Sequence, residues 1–148
     1  MLVLPGWNNM EKKFQIVDHT ADIGIICYGK SLQQLFSNAA LGLYSLMFNV
    51  ADIDEQMHRD IRLSAKDRDG LLVDWLNELI YLFDVDRIIF SRFVFNRLND
   101  TSLQAHCFGD TIDAKHQPIK REVKAATYHM LKITQKKNSY QAQVVFDI

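Results

Sequence analysis

Proline and cysteine are scarce in this chain, two of each among 148 residues, and their placement excludes more than their number does. Cys27 and Cys107 stand far apart in apolar runs and neither belongs to a C-x-x-C pair, so a zinc site built on thiolates is not expected. Free buried thiols suit a reducing compartment, with a single Cys27–Cys107 disulfide left open. Pro5 and Pro118 are the only prolines, and no Pro/Gly/Ser linker, low-complexity segment or internal repeat divides the chain. Charge of one sign is lacking too: 17 basic against 18 acidic residues leave a formal charge of -1. No whole-molecule field would draw in nucleic acid or an anionic membrane, so an RNA role would work through a local patch or a partner. No apolar run approaches the roughly 18 residues of a membrane span. The opening MLVLPGWNNM lacks the basic start and long apolar centre of a signal peptide, and a soluble cytoplasmic protein is expected. Also missing are a P-loop, a Rossmann glycine pattern, H-E-x-x-H, G-x-S-x-G and an EF-hand loop.

What is present is a large apolar share, 48% of residues with aromatics at 11%, enough to bury one substantial core. Residues 1–12 read as a flexible leader and 13–148 as a single domain. A strand is predicted from Asp22 to Tyr28, closed by Gly29. Ser31 then offers an N-cap to a helix whose Leu32, Leu35, Phe36, Ala39, Ala40, Leu43 and Met47 share one face, with Gln33, Gln34, Ser37 and Asn38 opposite. A short strand follows near Asp60 to Ala65. KDRDG can start a second helix, with Leu71, Leu72, Trp75, Leu76, Leu79, Ile80 and Phe83 forming a wide apolar stripe. Strands are predicted over 88–95, 103–108, 123–134 and 140–148, the last two as a hairpin across KKNS. The order predicts an α+β domain: a two-layer sandwich in which a mixed, mostly antiparallel sheet carries two main helices on one face.

Several stretches could carry chemistry. DHTAD places Asp18 and Asp22 around His19, a density of oxygen and imidazole suited to holding a divalent cation or moving a proton. The same residues also suit a turn, with Asp18 and Thr20 satisfying local backbone groups and His19 packing against the strand. Asp74, Asn77 and Glu78 share a helix face that is more often solvated than functional. KHQPIKREVK gathers Lys115, His116, Lys120, Arg121 and Lys124 into a phosphate- or acid-binding candidate, or a basic turn without a ligand. Lys124 stands out because it begins a strand. Alternation places Lys124, Ala126 and Tyr128 on one face and Val123, Thr127 and His129 on the other, with His129 read as a strand histidine. His58, His106 and His116 have no spacing that suggests a site. At the other end, FDI sets Asp147 beside the main-chain oxygens of Ile148, and alternation sends the Ile148 side chain inward with Phe146, Val144 and Ala142.

Taken together, DHTADIGI, LLVDWLNELIYLFD, EVKAATYH and the closing FDI resemble the archease family, over roughly Phe14 to Ile148 and with the blocks in the family's order. The leader of about ten residues is the one clear departure. The resemblance implies an accessory protein, not itself an enzyme, that assists a GTP-dependent RNA-splicing ligase through guanylylation, multiple turnover and use of a wider set of nucleotide triphosphates. Such a ligase joins RNA ends bearing a cyclic or 3′-phosphate to a 5′-hydroxyl, so contact with RNA would be indirect. The resemblance further implies a divalent metal, typically calcium, held by Asp22, Asp147 and the main-chain or terminal oxygens of Ile148, with Lys124 as the next functional candidate. Two other readings stay open at this level. One is a stand-alone metal-dependent phosphohydrolase using Asp18 or Asp22 with His19; the other is a chaperone-like interaction module.

Overall fold

Residues 12–18, 22–49, 53–113 and 118–148 are described in the computed structural model of the protein. Its elements run β1 (Phe14–Asp18), β2 (Asp22–Gly29), α1 (Leu32–Met47), β3 (Met57–Ser64), α2 (Arg68–Asp86), β4 (Ile88–Leu98), β5 (Ser102–Thr111), β6 (Ala125–Lys136) and β7 (Ser139–Asp147). The expected leader lies, apart from Lys12, outside the described residues.

Both helices start where side-chain oxygens can satisfy their free N–H groups. Ser31 is extended and its hydroxyl accepts from the Gln34 N–H at 3.1 Å, while Gln34 Oε1 accepts from the Lys30 N–H at 2.6 Å, a reciprocal arrangement of the capping-box kind. Asp67 caps α2 in the same way, accepting from the Gly70 N–H at 2.8 Å. Helix α2 stops at Arg87, which turns left-handed (φ 54°) while its N–H still donates to the Phe83 carbonyl. Asn38, expected on the polar face of α1, is buried instead because its amide donates to the Tyr28 carbonyl at 2.7 Å. A buried amide is tolerable when it is bonded.

The α+β architecture with two main helices is as expected; the sheet is divided more finely. The strands form two wholly antiparallel sheets, a four-stranded one in the order β1-β2-β7-β6 and a three-stranded one in the order β3-β5-β4. The helices do not lie on one face of a single sheet, since each touches strands of both. A methyl group on Gly42 of α1 would meet Ile25 and Phe14 in the four-stranded sheet at 3.0 and 3.3 Å. On α2, Trp75 packs its ring against Phe93 and Phe95 of β4, with centroids 5.4 and 5.5 Å away, while its Nε1–H donates to the Phe36 carbonyl of α1. This two-sided burial explains the width of the α2 stripe. One apolar cluster takes residues from both helices and both sheets, Phe36, Trp75, Phe90 and Phe146 among them. Each such side chain contributes roughly 1.5–3 kcal/mol by leaving water.

Glycine is required at two close approaches. A Cβ on Gly29 would stand 2.4 Å from the Leu35 nitrogen, so the end of β2 can lie under the first turn of α1 only without one. A Cβ on Gly109 would fall 1.9 Å from the Ile89 carbonyl oxygen, beside the irregularity between Phe90 and Arg92 in the β4–β5 pairing.

Candidate functional site

The DHTAD stretch separates into a strand end and a strand start. Residues 14–18 form β1, which the sequence reading did not anticipate, and β1 pairs antiparallel with β2. His19 and Thr20, like Lys115 and His116 of the basic run, lie outside the described residues. Asp18 stands opposite Ile23 and therefore shares its face, whereas the next residue along, Asp22, belongs to the other. Register thus keeps Asp18 and Asp22 on different faces.

Asp22 is paired across the sheet with Asp147, directly opposite it in the β2–β7 ladder. Directly opposed residues of an antiparallel pair share a face with Cα atoms about 4.5–5.5 Å apart, and like charges in that position repel. On the far side of β7, Ala125 is the partner of Asp147, and the Lys124 N–H donates to the Asp147 carbonyl at 2.9 Å. The last strand residue of β7 is therefore held between the start of β2 and the start of β6. Asp147, Ile148 and Lys124 are exposed and Asp22 is half-buried. The expected inward placement of the Ile148 side chain does not hold: it is 42% exposed, because β7 ends at Asp147 and its alternation ends there too.

The alternation expected through VKAATYH also fails. Val123 and Ala126 are both buried, since β6 begins only at Ala125 and a two-residue period does not extend back across its start. Between Thr127 and Lys132 the strand loses register with β7, with Met130 left-handed at φ 54°. The Gln143 amide donates to the Met130 carbonyl at 2.7 Å and so supports the displaced stretch.

Asn77 has a structural role that the helix-face reading did not assign. Its Oδ1 accepts from the Ala126 N–H at 2.8 Å and its Nδ2 donates to the Ala126 carbonyl at 3.2 Å, pairing with β6 as a neighbouring strand would. The block on α2 thus fixes the backbone two residues beyond Lys124. The basic run has a structural answer as well. Lys120 and Arg121 donate backbone N–H groups to the Met47 carbonyl and the Arg121 guanidinium donates to the Leu46 carbonyl at 3.0 Å, closing the C-terminal end of α1 with a cation.

Burial pushes the Cys27 thiol up to about 12 despite hydrogen bonds that favour the thiolate, and does the same to Cys107, where the Asp60 carboxylate adds to the effect. Both thiols are free. A cleft of about 680 Å³ opens at the other end of the β2–β7 ladder, lined in part by Lys30, Arg68, Lys137 and Tyr140, and among the described residues none of the expected site residues borders it.

The order of these blocks is matched by a family. The Archease protein family covers residues 14–148 of the chain. The chain belongs to the archease family. Protein archease of Methanosarcina barkeri is 40% identical over 141 residues, covering 93% of this chain and 97% of that one. Protein archease of Pyrococcus furiosus is 36% identical over 142 residues, covering 93% and 99%. The solution structure of a Methanobacterium thermoautotrophicum protein superposes with a TM-score of 0.78 at 32% identity, covering 92% of this chain and 99% of that one. The crystal structure of a Thermotoga maritima archease, described as a possible chaperone, shares the fold at a TM-score of 0.60 and 22% identity, covering 89% and 94%. These archeases are named as proteins without a reaction, and among the described residues no helix is long and apolar enough to cross a membrane.

Proposed function

We propose that this archease is an accessory factor of a GTP-dependent RNA-splicing ligase, acting on the ligase's guanylylation step, multiple turnover and nucleotide range. The observation that carries the reading is the direct opposition of Asp22 and Asp147, with Lys124 bonded to the backbone of Asp147. Two carboxylates facing one another at the ends of adjacent strands repel until a cation stands between them. Their donors, together with the main-chain oxygens of Ile148, are all hard oxygens. That set fits calcium, which accepts irregular oxygen cages, better than a softer metal. A bound cation would supply charge neutralisation to a triphosphate or to a carboxylate of the partner.

The chain's own residues supply the rest. Asp22 and Asp147 present oxygens on one face, Asn77 holds β6 against α2, and Lys124 adds a positive charge next to that edge. The partner is then met by a small charged edge rather than by a cleft. The phosphohydrolase reading uses Asp18 or Asp22 with His19, which lies outside the described residues, and no observation among the described residues favours it. The chaperone-like reading rests on the description of the Thermotoga maritima relative.

The test is ligation by the RNA-splicing ligase of the same organism, followed through one and then many turnovers. Wild-type protein is expected to restore multiple turnover, and Asp22→Asn with Asp147→Asn to remove most of that stimulation while keeping the folded spectrum. Equal stimulation by the double variant would end the proposed role of this edge. A ligase indifferent to the wild-type protein would end the accessory reading itself.

A further inference from the structure

The outward face of the three-stranded sheet carries a second group of metal-ligand side chains, independent of the Asp22–Asp147 edge. Along β3 the residues Met57, Arg59, Ile61 and Leu63 turn inward and His58, Asp60 and Arg62 outward; along β5 Leu103, Ala105 and Cys107 turn inward and Gln104, His106 and Phe108 outward. Asp60 stands directly opposite His106, and His58 lies one outward position along β3 opposite Phe108. The pleat therefore places two imidazoles and a carboxylate together from residues as far apart as 48 positions in sequence.

Their atoms converge. Asp60 Oδ1 lies 2.8 Å from His58 Nε2 and 2.5 Å from His106 Nδ1, and the two ring nitrogens are 3.5 Å apart. The rings stack at 5.6 Å, and Phe108 lies beside His58 at 5.2 Å. Phe108 is covered in turn by the Arg92 guanidinium at 4.0 Å, and Arg92 is held by three contacts of 2.8–3.1 Å to Glu55. The Arg92 charge is thus compensated by its own carboxylate.

We propose that His58, Asp60 and His106 form a binding site for one transition-metal dication of the zinc, cobalt or nickel class. The nitrogen–nitrogen separation matches the edge of a tetrahedron with bonds of about 2.1 Å, which is about 3.4 Å. Asp60 Oδ1 sits closer to the nitrogens than such an edge allows, so on binding the exposed carboxylate would move outward by about 0.9 Å or turn its other oxygen inward. Two imidazoles and a carboxylate prefer borderline metals to calcium, the converse of the all-oxygen edge on the other sheet. Without metal, both rings donate N–H to Asp60. With metal, each ring presents a bare nitrogen inward and its proton moves to the nitrogen facing solvent, which the exposure of His58 permits without breaking a core contact. Three protein ligands leave at least one position for water or for a donor from another molecule.

The experiment uses untagged full-length protein stripped with a chelator, titrated with Zn2+ by calorimetry and with Co2+ by visible absorption. One equivalent of Zn2+ is expected to bind and to raise Tm. The His58→Gln and His106→Gln double variant is expected to match the metal-free wild type in Tm and to lose that equivalent, while Asp22→Asn with Asp147→Asn keeps it. No heat and no cobalt absorption up to about 100 μM metal would overturn the site, since a weaker complex would hold less than about 5.5 kcal/mol. Retention of the bound equivalent by the double histidine variant would also overturn it, by assigning binding to other side chains such as His129.

Discussion

At the scale of single residues the two cysteines make the fold less stable as pH rises into the alkaline range. Both thiols lie fully buried in the fold and are pushed up to about 12, whereas an unfolded chain frees them near about 8.5. A raised folded value means that the neutral form is favoured by folding. The contribution is complete below about 8.5 and is lost progressively as pH rises toward 12, because only the unfolded chain then ionises freely. Urea unfolding at pH 7 and pH 10 should show wild-type stability falling, with a shallower fall in Cys27→Ala and Cys107→Ala. At pH 7 each substitution should cost about 1–2 kcal/mol through the cavity it leaves. Thiol reagents should label the native protein no faster than it opens. A slope unchanged by removal of both thiols would show that the alkaline loss comes from tyrosines or lysines.

At the scale of elements the side chain of Asn77 is the link between α2 and the start of β6. Asn77→Ala removes both bonds to the Ala126 peptide and leaves a half-buried N–H and carbonyl without that partner. The expected cost is about 2 kcal/mol, read as a shift in the urea midpoint with little change in slope. If the placement of Lys124 matters for the ligase, the same variant should also stimulate ligation less, and Lys124→Ala should do so without loss of stability. A variant that is destabilised yet stimulates fully would separate the packing role from the functional one. Helix α1 shows the same dependence on distant chain. It has no basic residue in its last turn, and Arg121 reaches the Leu46 carbonyl from 75 residues away.

At the scale of the molecule, the parts that were legible in the sequence are those set by local periodicity. Ser31 and KDRDG marked the helix starts because capping needs only neighbours, and the 3.6-residue spacing of Leu71 to Phe83 reported α2 wherever it packed. Pairing between distant strands left much weaker marks. FQIVD is too short to announce β1, and nothing local tells β3 to join β5 while β2 joins β7. The opposition of Asp22 and Asp147 could be anticipated because both sit at strand ends, where a slip would also turn apolar residues outward. His58, Asp60 and His106 could not, since the signal was only an outward i, i+2 pair awaiting an unknown partner strand. Alternation breaks down at Val123 and Ile148 for one reason: period 2 holds inside a strand and neither residue is in one.

The ladder between β2 and β7 has a further consequence, in the order in which the chain is made. β2 is apolar on both faces, and Cys27 bonds the carbonyl of a residue 115 positions later. At about 5–20 residues per second, the β1–β2 hairpin would wait about 6–23 s on the ribosome with one edge unpaired. Such an edge is an aggregation hazard until its neighbour arrives. Ribosome-released fragments ending at residue 138 should therefore sediment with the insoluble fraction, and a separately supplied peptide spanning Ser139–Asp147 and Ile148 should return them to solution.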